Sequence, residues 1–495
     1  MIKLIESTFK QYMDSPLEKL LSELRGFPIE GINWWNSNNF SYYLRNLHKN
    51  PWDLLYRINE NINPKKQVVD VRVNQLSNYK SFSSNIVNNY FEELSNQENL
   101  FIKIYDPLND VRNITKIIDL AVKNNLKIIG GIFLRPDLKD YPDFHSDLIK
   151  TYDEYNINYL SLIEPLGILK QNEIQKIKKK IDEINKKTQI NISINQNPVN
   201  QSLIILEAMN LGITEYDCSV VSSKFGFPSI NTLYETALYS QMKIDEKDFP
   251  SNLLNIENYE LNLAKNQKIS TKEENQGKIK FPTIPLNTIK RIVELKYFTN
   301  LPFDLSIILN QVIQTQADLG YPPLIEPFLS LIISQSIFRL QNNNKGVQTL
   351  DTLKYVAGFW GKQPEQLNGD YKDLIAITDK LKKNSKLFKI QTIDEQPGTI
   401  TEPLTKKEFK TQREKILFTL FPEESNYFYY EYPLIPKKID LSKRENIAKL
   451  LKVYLANSKS KQSGILINQA DYPESGNDNS FRWRYLSRLF QMGKF

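Results

Sequence analysis

Eight short runs rich in Ile, Leu and Val recur through the first ~240 residues, each followed by a stretch of helical length. The runs are Lys3–Glu6, Gly31–Trp34, Gln67–Val71, Leu100–Ile104, Lys127–Ile132, Tyr159–Leu162, Gln189–Ile194 and Glu215–Asp217. Between them lie helical patterns such as Ile114–Asn124, with Ile117, Ile118, Leu120, Ala121 and Val122, and Gln201–Leu211, with Leu203, Ile204, Leu206, Ala208 and Met209. Eight strand–helix repeats in ~240 residues match the size of a (β/α)8 barrel. The rival is a doubly wound open sheet. No G-x-G-x-x-G follows the first run and no Walker A sequence occurs, so a nucleotide-binding sheet has no support.

The remaining organisation follows from composition. A chain of 495 residues has room for two to four domains, and 40% hydrophobic with 24% charged residues is a globular balance. No apolar run approaches the ~18 residues of a membrane span. Met1-Ile-Lys-Leu-Ile does not open a signal peptide. The one cysteine, Cys218, excludes an intrachain disulfide and any multi-cysteine metal site, and two histidines, His48 and His145, leave little for an imidazole site. The expected location is the cytoplasm or an equivalent reducing compartment, such as an organelle interior. A net charge of +7, from 64 basic and 57 acidic residues, does not argue for nucleic acid.

The expected domains are a barrel over 1–245, a polar linker or arm over 246–285, a helical domain over 286–430 and a C-terminal extension over 431–495 with a basic amphipathic tail. Within the third, Leu305–Ala317 and Ile325–Leu340 read as packed helices broken by Gly320-Tyr-Pro-Pro323. A lysine-rich helix is expected near Asp370–Ser385. A less regular stretch rich in Tyr and Phe follows, including Phe418–Pro422 and Tyr427–Tyr432.

Several motifs then fall in a familiar order. Phe101-Ile-Lys-Ile-Tyr-Asp-Pro-Leu-Asn-Asp-Val-Arg-Asn113 closely resembles a motif of the biotin-dependent carboxyltransferases. These are the transferase domain of pyruvate carboxylase, the alpha subunit of oxaloacetate decarboxylase and the large subunit of transcarboxylase. Pro51-Trp-Asp-Leu-Leu55 is similar to D-P-W-E-R-L, and Arg72-Val-Asn-Gln-Leu-Ser-Asn-Tyr79 to R-G-Q-N-L-V-G-Y. Phe227-Pro-Ser-Ile-Asn-Thr-Leu233 resembles the end of that barrel. Asp318-Leu-Gly-Tyr-Pro-Pro-Leu324, Thr401-Glu-Pro-Leu404 and Leu420-Phe-Pro422 resemble the helical domain after it. The resemblance runs from residue 1 to about 430 and implies a barrel followed by that domain. No A-M-K-M biotinyl site occurs, so under this resemblance biotin would ride on a separate carrier.

The resemblance also implies a divalent metal at the barrel mouth, polarising an oxaloacetate or pyruvate carbonyl. Its ligands would be an aspartate, a carbamylated lysine and two histidines, with a threonine moving the proton. This chain places Gln11 at the aspartate, Ile163 at the lysine, Ile194 and Gln196 at the histidines and Pro198 at the threonine. Isoleucine cannot ligate a metal, and glutamine poorly replaces carboxylate or imidazole. No metal and no catalytic residue are therefore expected.

Arg72, Tyr79 and Asp106 still match the family's acid-binding pocket. One alternative is a surviving pocket without chemistry; the other, favoured, is a structural ion pair or cap of Arg72 and Asp106 with Tyr79 packing. Glu164 and Asp14 are a weak cation signal, and Cys218 reads as a small core residue. In the tail, Arg482, Trp483, Arg484 and Arg488 either dock on a partner or an anionic membrane surface, or pack on the chain's own body. The expected function is a catalytically inactive, structural or regulatory subunit in a homo- or hetero-oligomer, with an intact carboxyltransferase paralogue as one candidate partner. The alternative is a divergent carboxyltransferase or decarboxylase subunit acting on oxaloacetate or pyruvate.

Overall fold

The computed structural model describes residues 2–8, 17–77, 80–195, 198–220, 226–241, 284–299, 301–342, 348–369, 371–372, 374 and 409–430. Eight parallel strands close into a barrel in chain order: β1 (Lys3–Glu6), β2 (Gly31–Trp35), β3 (Lys66–Arg72), β4 (Leu100–Tyr105), β5 (Lys127–Phe133), β6 (Tyr159–Glu164), β7 (Gln189–Ile194) and β8 (Glu215–Cys218). β1 closes the ring on β8, with Ile5 opposite Asp217. All eight expected strands are present. Six of them run one or two residues further toward their C-terminal ends, where Arg72, Tyr105, Glu164 and Cys218 add ladder positions that apolar periodicity does not mark.

Helices α1 (Leu17–Leu24), α2 (Ser37–Arg45), α3 (Trp52–Asn61), α4 (Ser84–Ser95), α5 (Val111–Lys123), α6 (Ser146–Glu154), α7 (Gln171–Ile184), α8 (Pro198–Asn210) and α9 (Ile230–Leu238) connect and surround the strands. Spacing explains the faces they bury. Helix α5 turns Ile114, Ile117, Ile118 and Ala121 inward and starts at Asp110, whose side chain accepts from Arg112 N. Helix α7 does the same with Ile174, Ile177 and Ile181.

A helical layer covers the C-terminal mouth of the barrel. It comprises α10 (Leu286–Thr299), α11 (Leu305–Asp318), α12 (Phe328–Gln341) and α13 (Leu350–Val356). Its core is continuous with the mouth, because Leu108, Phe133 and Leu166 share one apolar cluster with Ile308, Phe328 and Ile332.

The stretch expected to be irregular forms two helices, α14 (Gln412–Leu420) and α15 (Pro422–Tyr430). Aromatic bulk rather than periodicity anchors them. Phe421, between the two, stacks on Phe40 with ring centroids 5.9 Å apart, and Arg413 pairs with Glu93 of α4 at 2.9 Å.

Met1–Phe428 forms one compact unit and Tyr429–Phe495 a second. Most of the polar arm, most of the lysine-rich segment, Gln11, Tyr79, Gln196 and the tail residues Arg482, Trp483, Arg484 and Arg488 lie outside the described residues.

Candidate functional site: the barrel mouth

Side chains along a strand alternate between the barrel interior and the helix layer, and register partners in parallel strands share a side. Lys103 of β4 reaches Asp217 of β8 at 3.1 Å and Asp70 of β3 at 3.6 Å, a contact available only across the interior. Ser193 Oγ donates to Asp217 at 2.6 Å and Asn191 Nδ2 donates at 3.1 Å; Ser161 Oγ completes the chain to Asn191 at 2.7 Å. Burial pulls the Lys103 ammonium toward neutrality, but the two carboxylates outweigh it and raise its pKa. Lower in the barrel, Lys66 pairs with Glu215 at 2.8 Å and sits over the Tyr159 ring. This ion network escaped the sequence analysis, since its members lie on separate strands with no local spacing to reveal them.

The parity fixes what faces the mouth. Ile163 is the register partner of Phe133 and Ser193, on the interior side. Its Cδ1 would lie 3.0 Å from a Cβ at Gly131, and Tyr105 Cβ only 2.6 Å, so this level admits no side chain on Gly131. Ile163 and Tyr105 pack against the apolar cluster shared with the helical layer. Ile194 is the partner of Glu164 and faces the helices. On β7 the side chain beside Ile163 in the interior is therefore Ser193, one residue from the position that motif matching selects. The run Ile190-Asn-Ile-Ser-Ile194 alternates, and only strand pairing decides which half turns inward. Pro198 begins α8.

Carboxylates at the strand ends serve the loops. Asp106 accepts from Leu108 N and from Asn113 Nδ2, both at 3.0 Å. Burial pushes its pKa up to about 6, against the pull of those two donors. Glu164 accepts from the amides of Leu166, Gly167 and Ile168 at 3.1–3.3 Å, as a turn-closing group rather than a cation ligand. Glu6 accepts from Thr8 N at 2.8 Å, from the Thr8 hydroxyl and from Trp34 Nε1. Its complete burial lifts its pKa to about 7 despite those bonds.

The mouth is also stitched to the helical layer. Arg72 Nη1 donates to Glu326 O at 2.6 Å, and its guanidinium lies 5.9 Å from the Phe328 ring centroid. Asn113 Nδ2 donates to Trp360 O at 2.9 Å, and Lys362 N donates to Asp110 Oδ2 at 2.7 Å. Arg135 donates to Tyr321 O at 2.5 Å. Gly361, at φ +131°, allows this approach: a Cβ there would meet Asn113 Nδ2 at 2.9 Å and Asp110 Oδ2 at 3.0 Å. Asn113 and Arg135 were not singled out from the sequence, although Asn113 closes the Phe101–Asn113 motif.

His145 is wholly buried behind β5, where burial and then the charge of Arg135 hold its pKa down to about 3. His48 is exposed in a left-handed turn at φ +49° after α2. Cys218 is buried, its thiol pushed well up by burial and by Glu6 and Asp217. Among the described residues no group of three or more His, Cys, Asp or Glu could hold a metal ion. Of the positions that the resemblance gives to the metal, Ile163 and Ile194 are described, and neither side chain carries a donor atom. No described helix is long and apolar enough to cross a membrane.

No family model matches the chain. Curated relatives do. A pyruvate carboxylase subunit of Methanocaldococcus jannaschii is 21% identical over 482 residues, spanning 92% of this chain and 81% of the relative. The 2-oxoglutarate carboxylase large subunit of Hydrogenobacter thermophilus is 22% identical over 416 residues, 80% of this chain and 62% of that one. The methylmalonyl-CoA carboxyltransferase 5S subunit of Propionibacterium freudenreichii is 18% identical over 415 residues, covering 80% and 79%. Among solved structures, the carboxyl transferase domain of Rhizobium etli pyruvate carboxylase with pyruvate and biocytin superposes with a TM-score of 0.68 at 14% identity, over 86% of this chain and 77% of that one. That last likeness carries the fold. Similarity along most of the chain, together with the ordered motifs and the closed barrel, supports the resemblance of this chain to the biotin-dependent carboxyltransferases.

Proposed function

We propose that this chain is a carboxyltransferase-like subunit that does not carry out metal-dependent carboxyl transfer and instead acts as a structural or regulatory part of a larger assembly. The observation that carries this is Ile163. It stands where the family resemblance places a metal-binding lysine, and it packs with Tyr105 into the apolar seam beneath the helical layer. A lysine bearing a carbamate needs a polar, solvated setting and a metal beside it. Ser193, the neighbouring interior side chain of β7, brings a hydroxyl committed to Asp217. Neither histidine of the chain reaches the mouth as a ligand: His48 is exposed in its turn and His145 is enclosed behind β5. Arg72 and Asp106, the matches to an acid pocket, support the structural alternative through their bonds to Glu326 O, Leu108 N and Asn113.

The test is direct. Elemental analysis of the purified chain should find no stoichiometric Mn, Zn or Co. Oxaloacetate decarboxylation, and pyruvate-dependent discharge of carboxybiotin on a separate carrier, should stay at background. Stoichiometric metal, or turnover abolished by Arg72→Gln, would instead establish the divergent transferase. That second reading draws on the relatives, which are named as subunits of enzymes for pyruvate, 2-oxoglutarate and methylmalonyl-CoA.

The subunit names of those relatives also support an oligomeric setting. Mild purification from the source should bring down either a biotinylated carrier with an intact paralogue or a fixed set of unrelated proteins. The first makes the chain a non-catalytic part of a carboxylase; the second makes it a recruited building block.

A further inference from the structure

Charge is spread unevenly around the barrel, and the sharpest contrast falls between two neighbouring helices. Residues 137–154, which hold the β5–α6 connection and α6, carry six acids against two lysines. Residues 170–187, which hold α7, carry seven lysines against three acids. The two segments are bonded side by side. Lys180 pairs with Asp143 at 2.7 Å, the Tyr141 hydroxyl donates to Glu173 O at 2.9 Å, and Asn185 Nδ2 donates to Asp153 at 2.6 Å. Each helix buries an apolar stripe, Leu148, Ile149 and Tyr152 on α6 and Ile174, Ile177 and Ile181 on α7, which leaves the charges outside.

Only part of that charge is spent within the chain. Lys180 bridges the two segments, and Lys178 pairs with Asp182 of its own helix. Asp140, Asp147 and Glu154 remain exposed on the acidic side, and Lys176, Lys179 and Lys186 on the basic side. None of the large hydrophobic side chains exposed among the described residues lies on either segment. An anionic lipid surface would ask for apolar side chains to insert, and it would be repelled by α6. A uniformly acidic protein surface meets the same repulsion, since like charges set face to face oppose docking. The partner that fits carries acid opposite α7 and lysine opposite α6. A second copy, turned about a two-fold axis that runs between the helices and parallel to them, presents that pattern by symmetry.

We propose that α6 and α7 form a self-complementary face on which a second copy of this chain docks, the acidic α6 of each copy against the basic α7 of the other. The proposal rests on the oligomeric setting inferred above and not on the loss of metal chemistry. A metal-free, inactive monomer would overturn it and leave that loss standing.

The full-length chain would be sedimented over a concentration series in about 50 and about 500 mM NaCl, a span over which exposed charges pass from weakly to strongly screened. A dimer at low salt that dissociates at high salt is expected. Lys179→Glu with Lys186→Glu makes both sides of the face acidic, and Asp147→Lys with Glu154→Lys makes both basic. Each double variant should associate with itself about tenfold more weakly, or worse. Mixed in equal amounts, the two should recover a one-to-one dimer, because every acidic side then meets a basic one. Lys176→Gln with Lys179→Gln, which only neutralises the charge, provides the weakened readout if a reversed variant does not fold. A monomer at every concentration in low salt, a dimer indifferent to salt, undiminished self-association of the variants, or a mixture that stays monomeric would overturn the proposal.

Discussion

Arg72 Nη1 ends on the carbonyl oxygen of Glu326 at 2.6 Å, joining the end of β3 to the turn before α12 across 254 residues of sequence. A guanidinium that a homology argument assigns to a substrate carboxylate is here bonded to the protein's own backbone. Arg72→Met should lower stability by about 1–3 kcal/mol in urea denaturation, the range for a lost charge-assisted bond. Millimolar pyruvate should leave the unfolding midpoint of the unaltered protein unchanged. A pyruvate-dependent rise that vanishes in Arg72→Met would mean that the pocket is alive.

Ile163 gives a sharper contrast. Ile163→Val removes one methylene from a packed seam and should cost about 0.5–1.5 kcal/mol. Ile163→Lys places an ammonium among Tyr105, Phe133 and Ile168 and should cost several times more, with no gain of bound Mn or Zn by elemental analysis. If the lysine variant were as stable as the valine variant, the mouth would be wetter than its packing implies.

His145 predicts an acid limb. Its folded pKa, near 3, lies below its ordinary value of 6.5. Between the two the unfolded chain binds the extra proton, so stability is complete above pH 6.5 and drains away as pH falls toward 3. Equilibrium unfolding between pH 4 and 7 should show this slope, and His145→Phe should reduce it.

Glu6 has the opposite sign. Its folded pKa, about 7, stands above the ordinary 4.5, so the folded protein holds a proton that the unfolded chain releases. Stability therefore declines as pH rises from about 4.5 through 7 and levels off beyond. Glu6→Gln, which cannot ionise, should make that decline shallower, most of all above the raised pKa of Asp106. Persistence of the same slope in the variant would assign it to Asp106, whose carboxyl is raised to about 6 for the same reason.

Much of this was legible in the chain. Strands buried on both faces read as near-continuous apolar runs, and all eight were found. Their mouth-side ends were less visible, because Arg72, Tyr105 and Glu164 belong to the ladder without belonging to the apolar run. Helices α14 and α15 were hidden for a different reason. Phe421, buried between them, stacks on Phe40, and Arg413 of α14 pairs with Glu93 of α4; those contacts, rather than a helical stripe, explain where they lie.

Local order and motif were enough to determine the barrel, its eight-fold alternation and the isoleucine at position 163, because each depends on neighbours within one strand–helix unit. The tertiary structure decided everything that depends on facing and partnership. Strand pairing turned Ser193 inward and Ile194 outward. Chain closure brought Lys103 to Asp217, Arg72 to Glu326 and Asn113 to Trp360. Side-chain parity and contacts between residues a hundred or more positions apart are products of register and closure, and no local spacing encodes them.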